Sequence, residues 1–312
     1  MQKLKNNTGH LKIEYTDVNL HEAFVHKNKT LRETKYFIKN LKEGFDDMWE
    51  DHRLSKPEKN KNIRDCSKSS LGPYLRAFNN NVLKGYDSHT PSFIYGGIQG
   101  GNHVEAASKL LENEGTLLKL DFKNFFESID LIRVKIMFER SGCSSRAAAK
   151  LANIFCIAEG KKGCGSKNKV LARGFSTSTR IAIWCHIDTF YMIVRLIDKK
   201  LSKYKYSVIF FVDDIGIMTQ GVPKNELLDL ANDINTMLET KVSGNLCLNM
   251  SKVKIREKDE AREILGINIL KGGLDISNKK LEELYDIEKN EGKGKGLRKY
   301  REYVKQYKNK IF

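Results

Sequence analysis

The chain has 312 residues and a formal net charge of +16, with 55 Lys and Arg against 39 Asp and Glu. Hydrophobic residues make up 40% of the chain and aromatic residues 9%, which excludes global disorder and allows a sizeable core. The excess of positive charge predicts a polyanionic partner, with nucleic acid ahead of an anionic membrane. The alternative is a soluble basic protein that has no such partner.

The cysteines and the apolar segments indicate the cellular compartment of the protein. The six cysteines form neither a CxxC pair nor a Cys/His cluster, so they predict reduced thiols rather than disulfides or a zinc site. The first residues lack the apolar core of a signal peptide. The most apolar later run, residues 181–197, is interrupted by His186, Asp188 and Arg195. These features predict a cytoplasmic protein with no membrane partner.

Helical and strand patterns alternate along the chain. Thr30 and Glu33 form the Thr-x-x-Glu pattern of a capping box, at the start of an amphipathic helix expected to end near Asp51. Further helices are predicted over residues 71–83 and 104–111, after Asp130, after Ser144 or Ser145, after residues 176–179 and after Pro223. Strands are predicted over residues 116–122, 246–252 and 264–269.

Residues 92–103 are rich in glycine but lack the spacing of a Walker A or GxGxxG loop. They therefore predict only that the backbone closely approaches a neighbouring group. At the other end of the chain, residues 289–312 combine basic residues with Tyr300, Tyr303 and Tyr307 at helical intervals. This tail is expected either to lie on nucleic acid, with the rings stacked on bases, or to form a solvated terminal helix.

Residues 208–218 contain two apolar runs, rich in β-branched and aromatic residues, on either side of Asp213 and Asp214. The pattern predicts a β-hairpin with both acids at or beside its turn. Two like charges held there favour a bound cation, and carboxylate oxygens are the ligands that Mg²⁺ prefers. The alternative is that both acids are polar turn residues, because Asp favours turns.

The order of elements from residue 117 onward connects this hairpin with an earlier acid. A strand ending near Asp121 is followed by helices, then the hairpin with Asp213 and Asp214, then a helix and a strand. This order predicts an α/β (α+β) fold with a βαββαβ sheet, in which the three acids meet at one edge. Three such carboxylates in a strongly basic protein point to two-metal phosphoryl transfer on nucleotides.

Five stretches in this order resemble motifs of bacterial reverse transcriptases of the retron, group II intron and phage-defence (DRT, abortive-infection) type. They are residues 120–129, Gly174 with Thr177 and Ser178, residues 211–214, Asn249 with Lys252, and Leu265 with Gly266. The resemblance implies a right-hand polymerase fold. It implies an N-terminal helical extension in residues 1–55, fingers and a ferredoxin-like palm in residues 56–276, and a short basic helical thumb in residues 277–312.

The resemblance also implies roles for individual residues. Asp121 and Asp213 would ligate two Mg²⁺ ions, or Mn²⁺ in their place, with Phe122 beside them and Asp214 supporting the site electrostatically. Phe126 would exclude the 2′-hydroxyl of a ribonucleotide. Lys61 and Arg64 would hold the incoming triphosphate, and Lys252 would assist the departure of pyrophosphate. The expected substrate-binding set is completed by Phe122, Arg173, Gly174 and Phe211.

The implied activity is RNA-directed DNA polymerisation, in which dNTPs are added to a 3′-hydroxyl in bacterial antiphage defence. A dedicated non-coding RNA would be the template and DNA the product. A second copy of the chain or a partner defence protein would be a further binding partner. The second motif departs from its relatives, since Arg173 stands where they carry Gln. This keeps open template-independent or protein-assisted DNA synthesis on the same palm. A catalytically silent RNA-binding scaffold is a third hypothesis.

Overall fold

A computed structural model describes residues 11–41, 45–113, 115–241, 246–291 and 296–309. The helices are α1 (Leu31–Asn40), α2 (Leu71–Asn81), α3 (His103–Leu110), α4 (Leu131–Arg140), α5 (Ser145–Phe155), α6 (Ser178–Lys200), α7 (Lys224–Lys241), α8 (Asn278–Glu291) and α9 (Gly296–Lys305). The strands are β1 (Glu50–Asp51), β2 (Arg64–Asp65), β3 (Thr116–Lys123), β4 (Cys156–Ala158), β5 (Lys169–Leu171), β6 (Lys205–Phe211), β7 (Asp214–Gln220), β8 (Cys247–Leu248), β9 (Lys254–Arg256), β10 (Arg262–Ile264), β11 (Ile267–Leu270) and β12 (Gly273–Ile276). The protein is therefore of the mixed α/β class.

The chain divides into two units. The first comprises residues 1–91 and 124–188, and the second comprises residues 92–123 and 189–312. The divisions fall between residues 91 and 92, directly after β3, and within α6. No helix among the described residues is both long enough and apolar enough to cross a bilayer.

The first unit is mainly helical, and its helix starts agree with the sequence signals. Thr30 and Glu33 form the predicted capping box at the start of α1. Asp130 caps α4 and Ser144 caps α5 through hydrogen bonds to backbone N–H groups. The prediction for the end of the first helix was wrong, because α1 stops at Asn40 and the chain continues in an extended conformation. Residues 42–44 lie outside the described part of the chain.

The described residues of the second unit include a five-stranded antiparallel sheet. Its order is β6-β7-β3-β8, and β9 also pairs with β3. The order β6-β7-β3-β8 is the strand order expected for a βαββαβ chain. Along β3, the buried Leu118, Leu120 and Phe122 alternate with the half-buried Lys119 and Asp121. One face of this strand thus belongs to the core, while the other carries charge.

A smaller sheet in the second unit has the order β10-β11-β12. The single strand predicted over residues 264–269 is instead two strands joined by Leu265 and Gly266, whose φ angles of 56° and 77° form a tight turn. Of the strand predicted over residues 246–252, only β8 forms, and a 3-10 turn follows at Met250–Lys252. The three-stranded sheet β10-β11-β12 packs with α3 and part of the five-stranded sheet around one apolar core.

The C-terminal tail packs on this core, so the expectation of a solvated terminal helix was wrong, whereas contact of its tyrosines with nucleic acid stays a prediction. Tyr300, Tyr303 and Tyr307 are partly buried against the core, and Val304 is completely buried. The amide of Asn102 donates to the Tyr303 hydroxyl at 2.9 Å. Burial raises the pKa of Tyr300 to about 12. Residues 292–295 and 310–312 of the predicted tail lie outside the described part of the chain.

Candidate active site

Three acids lie at one end of the five-stranded sheet, where β3 and β7 pair. Asp121 is directly opposite Asp214 in the antiparallel register. The hairpin of β6 and β7 closes with Val212 and Asp213 as its two loop residues, as predicted for this acidic turn. The Phe122 N–H donates to the Asp213 carbonyl at 2.9 Å, which ties the turn to β3. The register therefore gathers acids from two distant parts of the sequence.

The acidic turn is strained and closely supported. Val212 has a φ of 57°, a conformation that is a genuine outlier for a β-branched residue. A Cβ atom added to Gly96 would lie 2.6 Å from the Val212 nitrogen. The segment before Gly96 runs beside β6, since the Tyr95 N–H donates to the Phe210 carbonyl and the Phe210 N–H donates to the Phe93 carbonyl. The close backbone approach predicted for the glycine-rich stretch is thus realised at Gly96.

Two lysines contact the acids. The Lys252 ammonium lies 2.8 Å from Asp121 Oδ2, and the Lys119 ammonium lies 3.4 Å from Asp214 Oδ1. Burial raises the pKa of Asp214 above its ordinary value; Lys119 offsets part of this increase, and the carboxylates of Asp213 and Asp121 add to it. Asp213 makes no ion pair with a described residue. Positive side chains thus already neutralise part of the cluster's charge.

The donor set suits a hard divalent cation. Asp121, Asp213 and Asp214 offer only carboxylate oxygens, which Mg²⁺ and Mn²⁺ prefer over softer ions. Within the described ranges, however, no group of three or more His, Cys, Asp or Glu side chains is arranged to hold an ion. Two of the three acids are turned to lysines instead. The residues fit the expected ions in chemical type, and a bound ion would have to compete with these lysines.

The other predicted site residues of the second unit are Lys252, Phe211 and Phe122. Lys252 ends the 3-10 turn after β8, and the Asn249 N–H donates to the Asp121 carbonyl at 2.8 Å, so this turn is fixed to β3. Phe211 is partly buried and packs against the core beside the hairpin. Phe122 is only 2% exposed, so its ring belongs to the core rather than to a ligand-facing surface.

In the first unit, Gly174 and Arg64 are in direct contact. The Arg64 N–H donates to the Arg173 carbonyl at 2.7 Å. Gly174 has a φ of 105°, and a Cβ atom at this position would lie 2.4 Å from the Arg64 carbonyl oxygen. Only glycine combines that backbone conformation with so close a neighbour. The structure therefore supplies a packing reason for Gly174 that is independent of any substrate.

Arg173 is held by an acid and an aromatic ring. Its guanidinium lies 3.1 Å from Glu127 Oε2, and its Cζ atom lies 4.9 Å from the centroid of the Phe126 ring. The Arg173 side chain is 15% exposed and that of Glu127 is 8% exposed, so the pair is largely desolvated. Phe126 itself is 7% exposed. One face of the ring expected to select the sugar is thus covered by Arg173.

Arg64 is buried, although the sequence pattern suggested a cation that faces substrate. Its guanidinium forms an ion pair with Asp51, donates to the Gly160 carbonyl and lies over the Trp49 ring with 4.7 Å between Cζ and the ring centroid. Burial lowers the pKa of Arg64. A triphosphate could reach Arg64 only if these partners gave way. Lys61 is half-buried, and its backbone pairs with the start of the same loop.

No protein-family model matches the sequence, and no curated protein matches it either. Solved structures that are similar to this chain include two telomerases. The first is telomerase from Candida albicans in complex with a TWJ fragment of telomeric RNA, at 11% identity and a TM-score of 0.44, over 81% of this chain and 42% of that chain. The second is apo telomerase from Candida tropicalis truncated from its C-terminal domain, at 12% identity and a TM-score of 0.42, over 66% and 45% of the two chains. This chain spans less than half the length of either.

Sequence reasoning missed two charged partners. Lys119 could have been found from strand alternation, because residues two apart in a strand share a face and Asp121 follows it by two. Glu127 lies beside the predicted Phe126, but its partner Arg173 is 46 residues away in sequence. Only the tertiary fold reveals that pairing. Neither residue carries a motif signal of its own.

Proposed function

We propose that the protein is an RNA-directed DNA polymerase that adds dNTPs to a primer 3′-hydroxyl. The observation that carries the proposal is the pairing of Asp121 with Asp214, with Asp213 on the adjoining turn tied to β3. The net charge of +16 suits a nucleic-acid template and product. The motif order seen in the sequence adds the reverse-transcriptase type, with fingers and palm in residues 56–276.

The proposed roles follow from the chemistry of each side chain. Asp121 and Asp213 would hold two Mg²⁺ ions, and Asp214 would add negative charge beside them. When bound, such ions lower the pKa of the attacking hydroxyl and neutralise charge on the reacting phosphate. Lys252, whose ammonium is half-exposed, would meet the departing pyrophosphate. Phe126 would discriminate against ribonucleotides through its ring.

The expected setting is bacterial antiphage defence with a dedicated non-coding RNA as template. The support for this setting is the motif resemblance. A partner defence protein or a second copy of the chain belongs to the same proposal. Purifying the chain from its native host and sequencing the bound nucleic acid would identify the template.

Primer extension tests the activity. The full chain is incubated with a primed RNA template, Mg²⁺ and labelled dNTPs, and the same assay is run on Asp213→Ala. Asp259→Ala is the matched control, because Asp259 is an exposed acid of the same unit that has no ion pair with a described residue. Labelled DNA from the native chain and the control, but not from Asp213→Ala, is the expected result. Incorporation of NTPs alone would contradict the proposal.

A second candidate is DNA synthesis that does not copy an RNA template, and the Arg173–Glu127 pair favours it. Arg173 stands where the reverse transcriptases that the sequence resembles carry Gln, and it is paired with Glu127 beside Phe126. A guanidinium donates hydrogen bonds and a carboxylate accepts them, so each can bind the edge of a nucleobase. Sequencing the product decides between the candidates. A copy of the supplied RNA excludes the second, whereas a homopolymer or short repeat supports it; a scaffold without activity would give no product.

A further inference from the structure

We infer that Lys252 is a built-in counter-ion of Asp121, which a divalent cation has to displace before it can bind the acid cluster. Lys119 holds the same relation to Asp214, in a more fixed position. The inference rests on the proposed function and specifies how the acid cluster admits its metal.

The contacts place one ammonium on each of two acids. Lys252 Nζ donates to Asp121 Oδ2 at 2.8 Å, and Lys119 Nζ lies 3.4 Å from Asp214 Oδ1. Asp213 is left without an ion pair in the described part of the chain. Three carboxylates and two ammonium groups leave one net negative charge at the cluster. An approaching cation therefore meets a much weaker field than three free acids would create.

The two lysines differ in how easily they can leave. Lys252 is 49% exposed, whereas its partner Asp121 is only 17% exposed and belongs to a central strand. The backbone of Lys252 is fixed, since its N–H donates to the Asn249 carbonyl and the Asn249 N–H donates to Asp121. Its four-carbon side chain can still swing the ammonium into water, where it is strongly hydrated. Lys252 is thus the group that can leave Asp121.

Lys119 is the less mobile counter-ion. It lies in the middle of β3, two residues before Asp121 and on the same face, and it is only 28% exposed. It is expected to stay near Asp214 when an ion enters, because it is less exposed than Lys252 and belongs to a central strand. The exchange therefore takes place mainly at Asp121. It also frees the Lys252 ammonium for the phosphate role proposed above.

Binding of Mn²⁺ alone tests this inference without any polymerase assay. Free Mn²⁺ is measured by electron paramagnetic resonance in solutions of the full chain, without nucleotide or nucleic acid. Removing the competing charge in Lys252→Met should lower the Kd for Mn²⁺ about tenfold. Lys119→Met should lower it less, and Lys252→Arg should keep the native value. Lys252 is half-exposed, so these variants are expected to fold, which circular dichroism verifies.

Lys254→Met is the matched control. Lys254 is exposed and lies directly opposite Lys119 in β9, but it contacts no acid among the described residues. Its removal takes the same charge from the same neighbourhood, so a change of less than about twofold is expected. If Lys254→Met tightened Mn²⁺ binding as much as Lys252→Met, general electrostatics would explain the effect. The displacement of a specific counter-ion would then be excluded.

Asp213→Ala separates failure of the inference from failure of the proposed function. Mn²⁺ binding that Asp213→Ala abolishes but Lys252→Met leaves unchanged would overturn the inference and leave the metal site intact. Binding that is insensitive to Asp213→Ala in every variant would remove both the inference and the metal role of the acids. A chain that fails in primer extension but responds to Lys252→Met as expected would retain the inference alone.

Discussion

Gly96 lies directly against Val212, the first loop residue of the hairpin that carries Asp213. A Cβ atom at residue 96 would lie 2.6 Å from the Val212 nitrogen and 2.8 Å from its Cγ2 atom. Val212 already has a φ of 57°, so the turn has little freedom to move away without changing its conformation. The position of Asp213 therefore depends on a glycine more than a hundred residues earlier in the chain.

Gly96→Ala should displace the acidic turn. We expect kcat for primer extension to fall by about tenfold to a hundredfold, because small misplacements of catalytic groups are costly. The free energy of unfolding should fall by about 1–3 kcal/mol from overpacking. Gly85→Ala is the control, since a Cβ atom there has no neighbour within 4 Å. A native kcat for Gly96→Ala would show that the contact does not position the acids.

The acidic hairpin was predictable because its signal is local. Two apolar runs around Asp213 and Asp214 specify the strands, and a similar run specifies β3 with Asp121. For Gly96, the sequence predicted the type of role but not the partner. The glycine density indicated a close backbone approach, whereas the partner, Val212, is determined by the pairing of the preceding segment with β6. Conformational strain at Val212 likewise has no sequence signal, since valine is typical of strands.

Asp214→Asn should stabilise the fold near neutral pH. The pKa of Asp214 is raised in the folded protein, so the folded state holds this proton more tightly than the unfolded chain does. The contribution of Asp214 to the free energy of unfolding therefore falls as the pH rises from the ordinary pKa of 3.8 through the raised pKa of the folded state. An uncharged Asn escapes that loss. Its Tm should exceed the native Tm at neutral pH, and the difference should shrink as the pH is lowered toward 3.8.

Thermal unfolding at several pH values, followed by circular dichroism, measures this difference. Asp259→Asn serves as the control, because Asp259 is exposed and should change Tm little at any pH. A lower Tm for Asp214→Asn than for the native chain at neutral pH would mean that the ion pair with Lys119 outweighs the cost of burial. In the proposed enzyme the stabilised variant should also lose activity, as expected where function maintains an unfavourable charge.

Glu127→Gln should destabilise the first unit strongly. It leaves the guanidinium of Arg173 largely buried without its charge partner, which typically costs about 3–5 kcal/mol. The double variant with Arg173→Met should lose much less than the sum of the two single variants, because no unpaired charge remains. Urea unfolding gives the four free energies. As a control, Glu112→Gln at the exposed pair with Lys109 should cost less than about 1 kcal/mol.

The Arg173–Glu127 contact and the burial of Arg64 lie beyond what sequence patterns reveal. Both cations stand in stretches that look like substrate-binding segments, and a pattern of charge cannot distinguish a cation facing a ligand from one facing Glu127 or Asp51. The partners come from distant positions, and their pairing depends on how the loops pack. The packing of the C-terminal tail was not predicted for a related reason, because its apolar contacts are made with α3 and β12 rather than within its own sequence.

Val304→Ala tests whether the C-terminal segment is part of the core. Val304 is completely buried among residues of α3 and the small sheet, so losing two methyl groups should cost about 2 kcal/mol in unfolding free energy. Tyr36→Ala is the control, because Tyr36 in α1 is 73% exposed and its loss should change stability by less than about 1 kcal/mol. Tyr300→Ala should likewise lower stability. If it weakened RNA binding at unchanged stability, the ring would serve as a stacking platform after all.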